Sequence, residues 1–284
     1  MNFIINIQQN MKKIYLFLAA IASLVGCSPK NDARGAVNHE KCLVVYYSQT
    51  GATAKVAQEI SRQTGIDTLR IEAEYPYNGN FNETIARCQK EMADSILPKL
   101  ATFDKDIAAY DTIFFGYPIW FGTYAPPVAS LIKSGALDGK VIIPFCTFGS
   151  GGLEASVAHL KEAVKEAKVL DGYGVRNARV DKSKDEIKEF LIGCGFVEGK
   201  IAERPDFSEQ HPIGDEEKAI FAKACGDYPM PIGTPVSACK RTMGDTTEYL
   251  FTVNSKSMDG STASAKVYIT VAKDEQPEFT RVVR

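Results

Sequence analysis

The sequence holds 284 residues, 45% of them apolar and 24% charged, with three histidines and a formal net charge of −2. That is enough chain to bury a sizeable core, and it lacks the basic excess or stripe that nucleic-acid binding needs. Seven cysteines at wide, irregular spacings, with no Cys-x-x-Cys among them, support neither a metal site nor a redox dithiol.

The N-terminus reads as an export signal. Lys12 and Lys13 precede an apolar run over 14–25 that is shorter than the ~20 residues a membrane span takes. The run ends in Leu24-Val25-Gly26-Cys27, which resembles the lipobox of bacterial lipoproteins. That resemblance implies removal of 1–26, lipid on the Cys27 thiol, Met11 as the start, and a membrane-anchored protein on the periplasmic face or in the outer membrane. An ordinary cleaved signal or a buried helix are the alternatives. Residues 28–40 are polar and aperiodic, so 27–40 is expected to be a lipid-anchored tether. From Cys27 onward the chain carries 31 basic and 35 acidic residues.

Short apolar runs then alternate with helical patterns. Strands are expected at 42–47, 68–72, 112–116, 141–146 and 168–170 with a little beyond; the first, third and fourth are nearly continuous apolar stretches, as in strands covered on both faces. Between them, helices are expected at 53–63, 81–97, 127–134, 152–166 and 183–192. This alternation argues for an α/β fold with a five-stranded parallel, doubly wound sheet over 41–196. Residues 197–214, with Pro205, Pro212 and Gly214, form a linker. A small α+β module should fill 215–284: one helix at 215–225, then an antiparallel meander at 234–242, 247–256 and 264–273, with a possible fourth strand at 279–283 covering an edge.

In an open parallel sheet, ligands sit beyond the carboxyl ends of the strands where strand order reverses. With order 2-1-3-4-5, three loops meet there. The first is Ser48, Gln49, Thr50, Gly51, Ala52 and Thr53, hydroxyls around a glycine at the start of a helix whose free N–H groups attract an anion. It lacks the Gly-Lys-Ser/Thr of a triphosphate loop and the spacing of dinucleotide binders, so a lone monophosphate fits it best; plain helix capping is the other explanation. The second is Tyr117, Pro118, Ile119, Trp120, Phe121 and Gly122, running on to Thr123 and Tyr124. Aromatic residues on a solvent-facing loop cover something flat, or else pack on the C-terminal module or on their own helix. The third is Thr147, Phe148, Gly149, Ser150, Gly151 and Gly152, where glycines would let main-chain N–H groups approach a ligand, or simply make a turn.

A phosphate cradle, an aromatic wall and main-chain donors together complement a flavin mononucleotide. On these motifs, SQTGAT and YPIWFGT above all, residues 41–196 resemble the flavodoxin family, and flavodoxin is itself the standard example of the 2-1-3-4-5 order. The resemblance implies noncovalent FMN, with Ser48 to Thr53 around the phosphate, Pro118 to Gly122 along the ring, Trp120 as the stacking residue, and Thr147 to Gly152 near the ring's polar edge. The chain departs from ordinary flavodoxins in its mild acidity, its export signal and its C-terminal module.

The function expected is electron transfer by an FMN-binding flavodoxin-like lipoprotein outside the cytoplasm, with a redox protein or quinone as partner. An FMN-dependent NAD(P)H/quinone oxidoreductase and a flavin-free lipoprotein that binds a partner are the alternatives. Electron transfer needs no acid–base residue, and the histidines agree: His39 falls in the tether, His159 within a helix and His211 in the linker. Cys42, Cys146 and Cys194 lie in apolar runs and read as core residues, whereas Cys225 and Cys239 are placed to pair or to stay free.

Overall fold

The computed structural model describes residues 39–78, 80–256 and 262–284, so the export signal, Cys27 and nearly all of the tether lie outside the described residues. A 3-10 turn, His39–Lys41, leads into β1 (Cys42–Tyr46), α1 (Ala52–Thr64), β2 (Thr68–Arg70), α2 (Phe81–Ala93), β3 (Thr112–Trp120), β4 (Thr123–Tyr124) and α3 (Pro126–Lys133). There follow β5 (Val141–Phe148), α4 (Leu153–Ala163), β6 (Lys168–Val169), β7 (Tyr173–Arg176) and α5 (Lys184–Cys194). The C-terminal part comprises β8 (His211–Pro212), α6 (Asp215–Cys225), β9 (Thr234–Met243), β10 (Thr246–Lys256), β11 (Thr262–Ala272) and β12 (Glu278–Val283).

The first sheet is parallel in the order β2-β1-β3-β5-β6, with β7 also on β5, which is the expected order with the last position shared by two short strands. Alternate residues of one strand feed opposite cores. Leu43 and Val45 join Ile113 and Phe115 on one face, while Val44 and Tyr46 join Phe114 and Phe145 on the other. A strand with no polar position requires helices on both faces. The shared last position has a local cause: the break between β6 and β7 lies opposite Pro144, which has no N–H to donate, and a Cβ on Gly172 would come within 3.0 Å of the Pro144 carbonyl.

Some elements end elsewhere than the sequence pattern suggests, and two bear on the site. β3 runs on to Trp120 instead of stopping at Gly116, because Tyr117 and Pro118 stay paired with Cys146 and Thr147 of β5 and the chain then folds back on β4. α2 ends at Ala93, short of residue 97, and Ser95 follows with a φ of +53°.

The second sheet is antiparallel in the order β12-β11-β10-β9-β8. Tyr249, Phe251 and Val253 of β10 are buried while Leu250 and Thr252 are half-buried, the alternation that the sequence displays. Phe221 and Cys225 of α6 cover this buried face, to which Val267 and Ile269 of β11 also belong. Cys225 and Cys239 are both buried free thiols, so no disulfide joins them. The fourth strand exists, and β8 adds a short strand inside the linker that the pattern did not reveal.

The two sheets belong to one compact unit, Val37–Arg284. Arg179, 12% exposed at its side chain, bonds Glu186 of α5 at 2.6 Å and Glu278 of β12 at 2.9 Å. Breaking a buried pair leaves charge without a partner, at about 3–5 kcal/mol, a figure that partial exposure of both carboxylates lowers here. Arg179→Met is therefore expected to cost about 2 kcal/mol in urea unfolding. An unchanged midpoint would show that the pair is only a surface contact.

Candidate functional site

The carboxyl ends of β1, β3 and β5 bring the three candidate loops together. The first loop follows β1 and begins past Tyr47, whose N–H donates to the Gly116 carbonyl at 3.0 Å and keeps it tied to β3. Gly51 caps α1 with a φ of +91° and no side-chain cap, and a Cβ there would meet nothing within 4 Å. The first turn of α1 thus has no side-chain cap and borders open space at Gly51, at the positive end of a thirteen-residue helix. Ser48 is 1% exposed, and among the described residues its Oγ is the fully buried side-chain polar atom that has no hydrogen-bond partner. Leaving a hydroxyl in that state costs about 1–3 kcal/mol.

The other members of the loop divide. Thr50 is exposed. Thr53 is buried, and its Oγ1 lies 2.9 Å from Oγ1 of Thr147, which ties the first loop to the end of β5. Gln49 turns away: its Nε2 donates to the Tyr77 carbonyl at 3.1 Å and to Thr84 Oγ1 at 2.9 Å, holding the segment after β2. Arg70 braces the loop, its Nη2 donating to the Ser48 carbonyl at 3.0 Å while its Nε pairs with Glu72 at 3.0 Å, and Lys55 of α1 is paired with Asp181 at 2.6 Å.

The second loop is a hairpin. Trp120 pairs with Thr123 across Phe121 and Gly122, whose φ values of +52° and +80° make a two-residue turn of the type that suits strand twist. Glycine takes that conformation freely, but Phe121 does not, at a cost of about 1–2 kcal/mol, and the residue is 53% exposed. Pro118 sits opposite Thr147, and a Cβ on Gly152 would lie 3.3 Å from Ile119 Cγ2, so the second and third loops touch. Trp120 is half-buried and meets Tyr47 and Tyr77 edge-on, with ring centroids 5.9 Å and 5.5 Å away. The indole is thus wedged from one side, a firmer setting than a free stacking wall.

In the third loop, Thr147 and Phe148 are the buried last residues of β5, and Phe148 packs against Gly174, where a Cβ would approach its ring to 2.8 Å. The loop proper is Gly149 to Gly152. Its Gly149 carbonyl accepts from Arg176 Nε at 2.8 Å and its Ser150 carbonyl from the Val282 N–H at 2.6 Å. Behind the loops, Tyr117 OH lies 3.4 Å from Ser156 Oγ, and burial pushes the Cys146 thiol up to about 12, so this cysteine offers no thiolate near neutral pH.

Two participants escaped the sequence reading. Tyr77 is 6% exposed, with its OH on Glu91 at 2.6 Å and Arg87 over its ring at 3.7 Å; burial first, and then the Glu91 bond, raise its pKa. The Tyr75-Pro76-Tyr77 run would have given it away by the same aromatic-loop argument applied to 117–122. Arg176 had no such signal. Of the histidines, His39 bonds the Thr64 carbonyl, His159 is exposed on α4, and His211 pairs with Glu217, all away from the three loops.

Among solved structures, a candidate flavoprotein of Bacteroides eggerthii DSM 20697 is 29% identical over 52% of this chain and 98% of its own, with a TM-score of 0.43. A flavoprotein of Lactobacillus acidophilus NCFM, solved in complex with FMN, is 26% identical over 50% of this chain and 97% of its own, with a TM-score of 0.42. A candidate flavoprotein of Bacteroides uniformis ATCC 8492 is 29% identical over 52% and 97%, with a TM-score of 0.45. The sequence profile described as flavodoxin matches residues 41–192, more than half of the chain. The chain belongs to the flavodoxin family.

Proposed function

We propose that this protein binds one FMN noncovalently and works as an electron-transfer protein outside the cytoplasm, anchored through Cys27. The observation that carries the reading is Ser48: a hydroxyl held without a partner at the mouth of α1, beside an open Gly51, is what a phosphate cradle looks like before its anion arrives. The residues fit the group. Ser48 Oγ, the Thr50 hydroxyl and the first N–H groups of α1 would hold the phosphate, with no lysine from the helix. The 118–122 hairpin would flank the ring and the 149–152 loop would meet its polar edge. When bound, FMN supplies one- or two-electron transfer. The chain's part is to orient the group, keep water from its faces and set local charge. The test is FMN titration of the purified folded portion: visible flavin bands that bleach with dithionite, and a raised unfolding midpoint, support the reading. A colourless protein indifferent to FMN would sink it. Mass spectrometry of the mature N-terminus, looking for lipid on Cys27, tests the anchor.

One observation favours the reductase alternative. A cavity of about 290 Å³ flanks the hairpin, lined by Ile96, Leu97, Trp120, Phe121, Tyr124 and Pro126 among others, and would suit a flat apolar acceptor such as a quinone. Sustained quinone turnover with NAD(P)H would favour this reading over the carrier.

A further inference from the structure

We propose that the C-terminal strand is a working part of the cofactor site, with Arg176 as the positioning residue that aims the 149–152 loop. The proposal rests on the FMN reading above and extends it beyond residues 41–192, the span matched by the family.

β12 pairs with β11 on one side and lies against the third loop on the other. The Val282 N–H donates to the Ser150 carbonyl at 2.6 Å. Arg176, at the end of β7, reaches both parts at once: Nε donates to the Gly149 carbonyl at 2.8 Å and Nη1 to the Phe279 carbonyl at 2.8 Å, with the guanidinium 4.0 Å from the centre of the Phe279 ring. The fit is close enough to dictate sequence, since a Cβ on Gly151 would lie 2.0 Å from the Val282 carbonyl oxygen.

The direction of these bonds matters. In a planar trans peptide the C=O and the next residue's N–H point opposite ways. Holding the Gly149 carbonyl from Arg176 and the Ser150 carbonyl from Val282 therefore turns the N–H groups of Ser150 and Gly151 away from those two donors. Glycine-rich backbone otherwise samples many conformations, so an unheld loop would aim these donors only part of the time. A planar fork of donors serves two carbonyls together, which a lysine ammonium on its flexible stem does not do in the same geometry.

The experiment uses the full chain with two separate variants. Arg176→Lys keeps the charge and loses the fork. Val282→Pro removes the donor to Ser150 and sets a ring carbon against that carbonyl while leaving the β11 ladder bonds, because that N–H faces the loop and not β11; the urea midpoint reads what the lost valine packing adds. Hydrogen–deuterium exchange of the peptide 147–153 in ligand-free protein, the FMN dissociation constant and the urea midpoint are read for both. Exchange of that peptide about tenfold faster, and FMN bound about tenfold more weakly, with exchange elsewhere in the first sheet unchanged, is the expected result. Unchanged exchange and affinity in a folded variant overturn the proposal, as does an affinity loss that merely tracks global destabilisation. Should Arg176→Lys fail to fold, Val282→Pro decides. If the wild-type chain takes up no FMN, the functional reading falls, and the holding of the loop stands or falls on the exchange measurement.

Discussion

Ser48→Ala is expected to stabilise the ligand-free protein and to weaken FMN binding, two effects of opposite sign from one atom. In the ligand-free chain the hydroxyl is 1% exposed with no partner, so it has left water without recompense. Deleting it removes that penalty, worth about 1 kcal/mol after allowance for the small void that remains. Once an anion arrives, the same hydroxyl would donate to a charged oxygen, a bond worth about 1.5–3 kcal/mol, so its loss should weaken FMN binding roughly ten- to hundredfold. Thr50→Ala is the control for the ligand-free effect alone: Thr50 is exposed and carries no comparable penalty, so its loss should weaken FMN binding without the gain in stability. Urea midpoints with and without FMN, together with the dissociation constant, read both effects. A variant that is less stable without ligand and binds FMN as before would show that Ser48 is an ordinary packing residue.

The fold was legible because the forces that set it are local and periodic. Cys42 to Tyr46 is apolar throughout and is buried throughout, and the alternating residues of β10 and β11 could sit on only one kind of sheet. The glycine-capped helix start after β1 was legible for the same reason, since the hydroxyls, the glycine and the helix start are neighbours in sequence. The hairpin was not. Trp120-Phe121-Gly122-Thr123 lacks the Asn-Gly or Asp-Gly that announces such a turn, and Phe121 in a left-handed conformation is a position the surrounding structure imposes. Thr147 and Phe148 read as loop because glycines follow, yet β5 holds them by pairing with β3 and β7. Least legible was the Arg176 clamp. Its two acceptors lie 27 residues before and 103 residues after it, and only the docking of one sheet on the other brings them together.

Gly116→Ala is expected to be among the most damaging single-methyl additions in the first sheet. Gly116 lies in β3 opposite Phe145 of β5, and a Cβ there would sit 2.1 Å from Cζ and 2.3 Å from Cε2 of that ring. Phe145 is fully buried within the second core, so its ring has no exposed direction in which to swing. Overpacking of this severity costs about 3 kcal/mol, through a displaced ring or a shifted strand. A shifted strand would also reach the site, because the Gly116 carbonyl accepts the Tyr47 N–H one residue before Ser48. FMN affinity should therefore fall together with stability. Phe145→Leu alone should cost about 1 kcal/mol by leaving a void, yet it opens the space that the new methyl needs. The double variant should then be more stable than Gly116→Ala alone, with a coupling energy of about 1–2 kcal/mol. Urea midpoints for the four proteins complete the cycle, and strictly additive costs would mean that the clash is relieved by backbone movement elsewhere, with Phe145 taking no part.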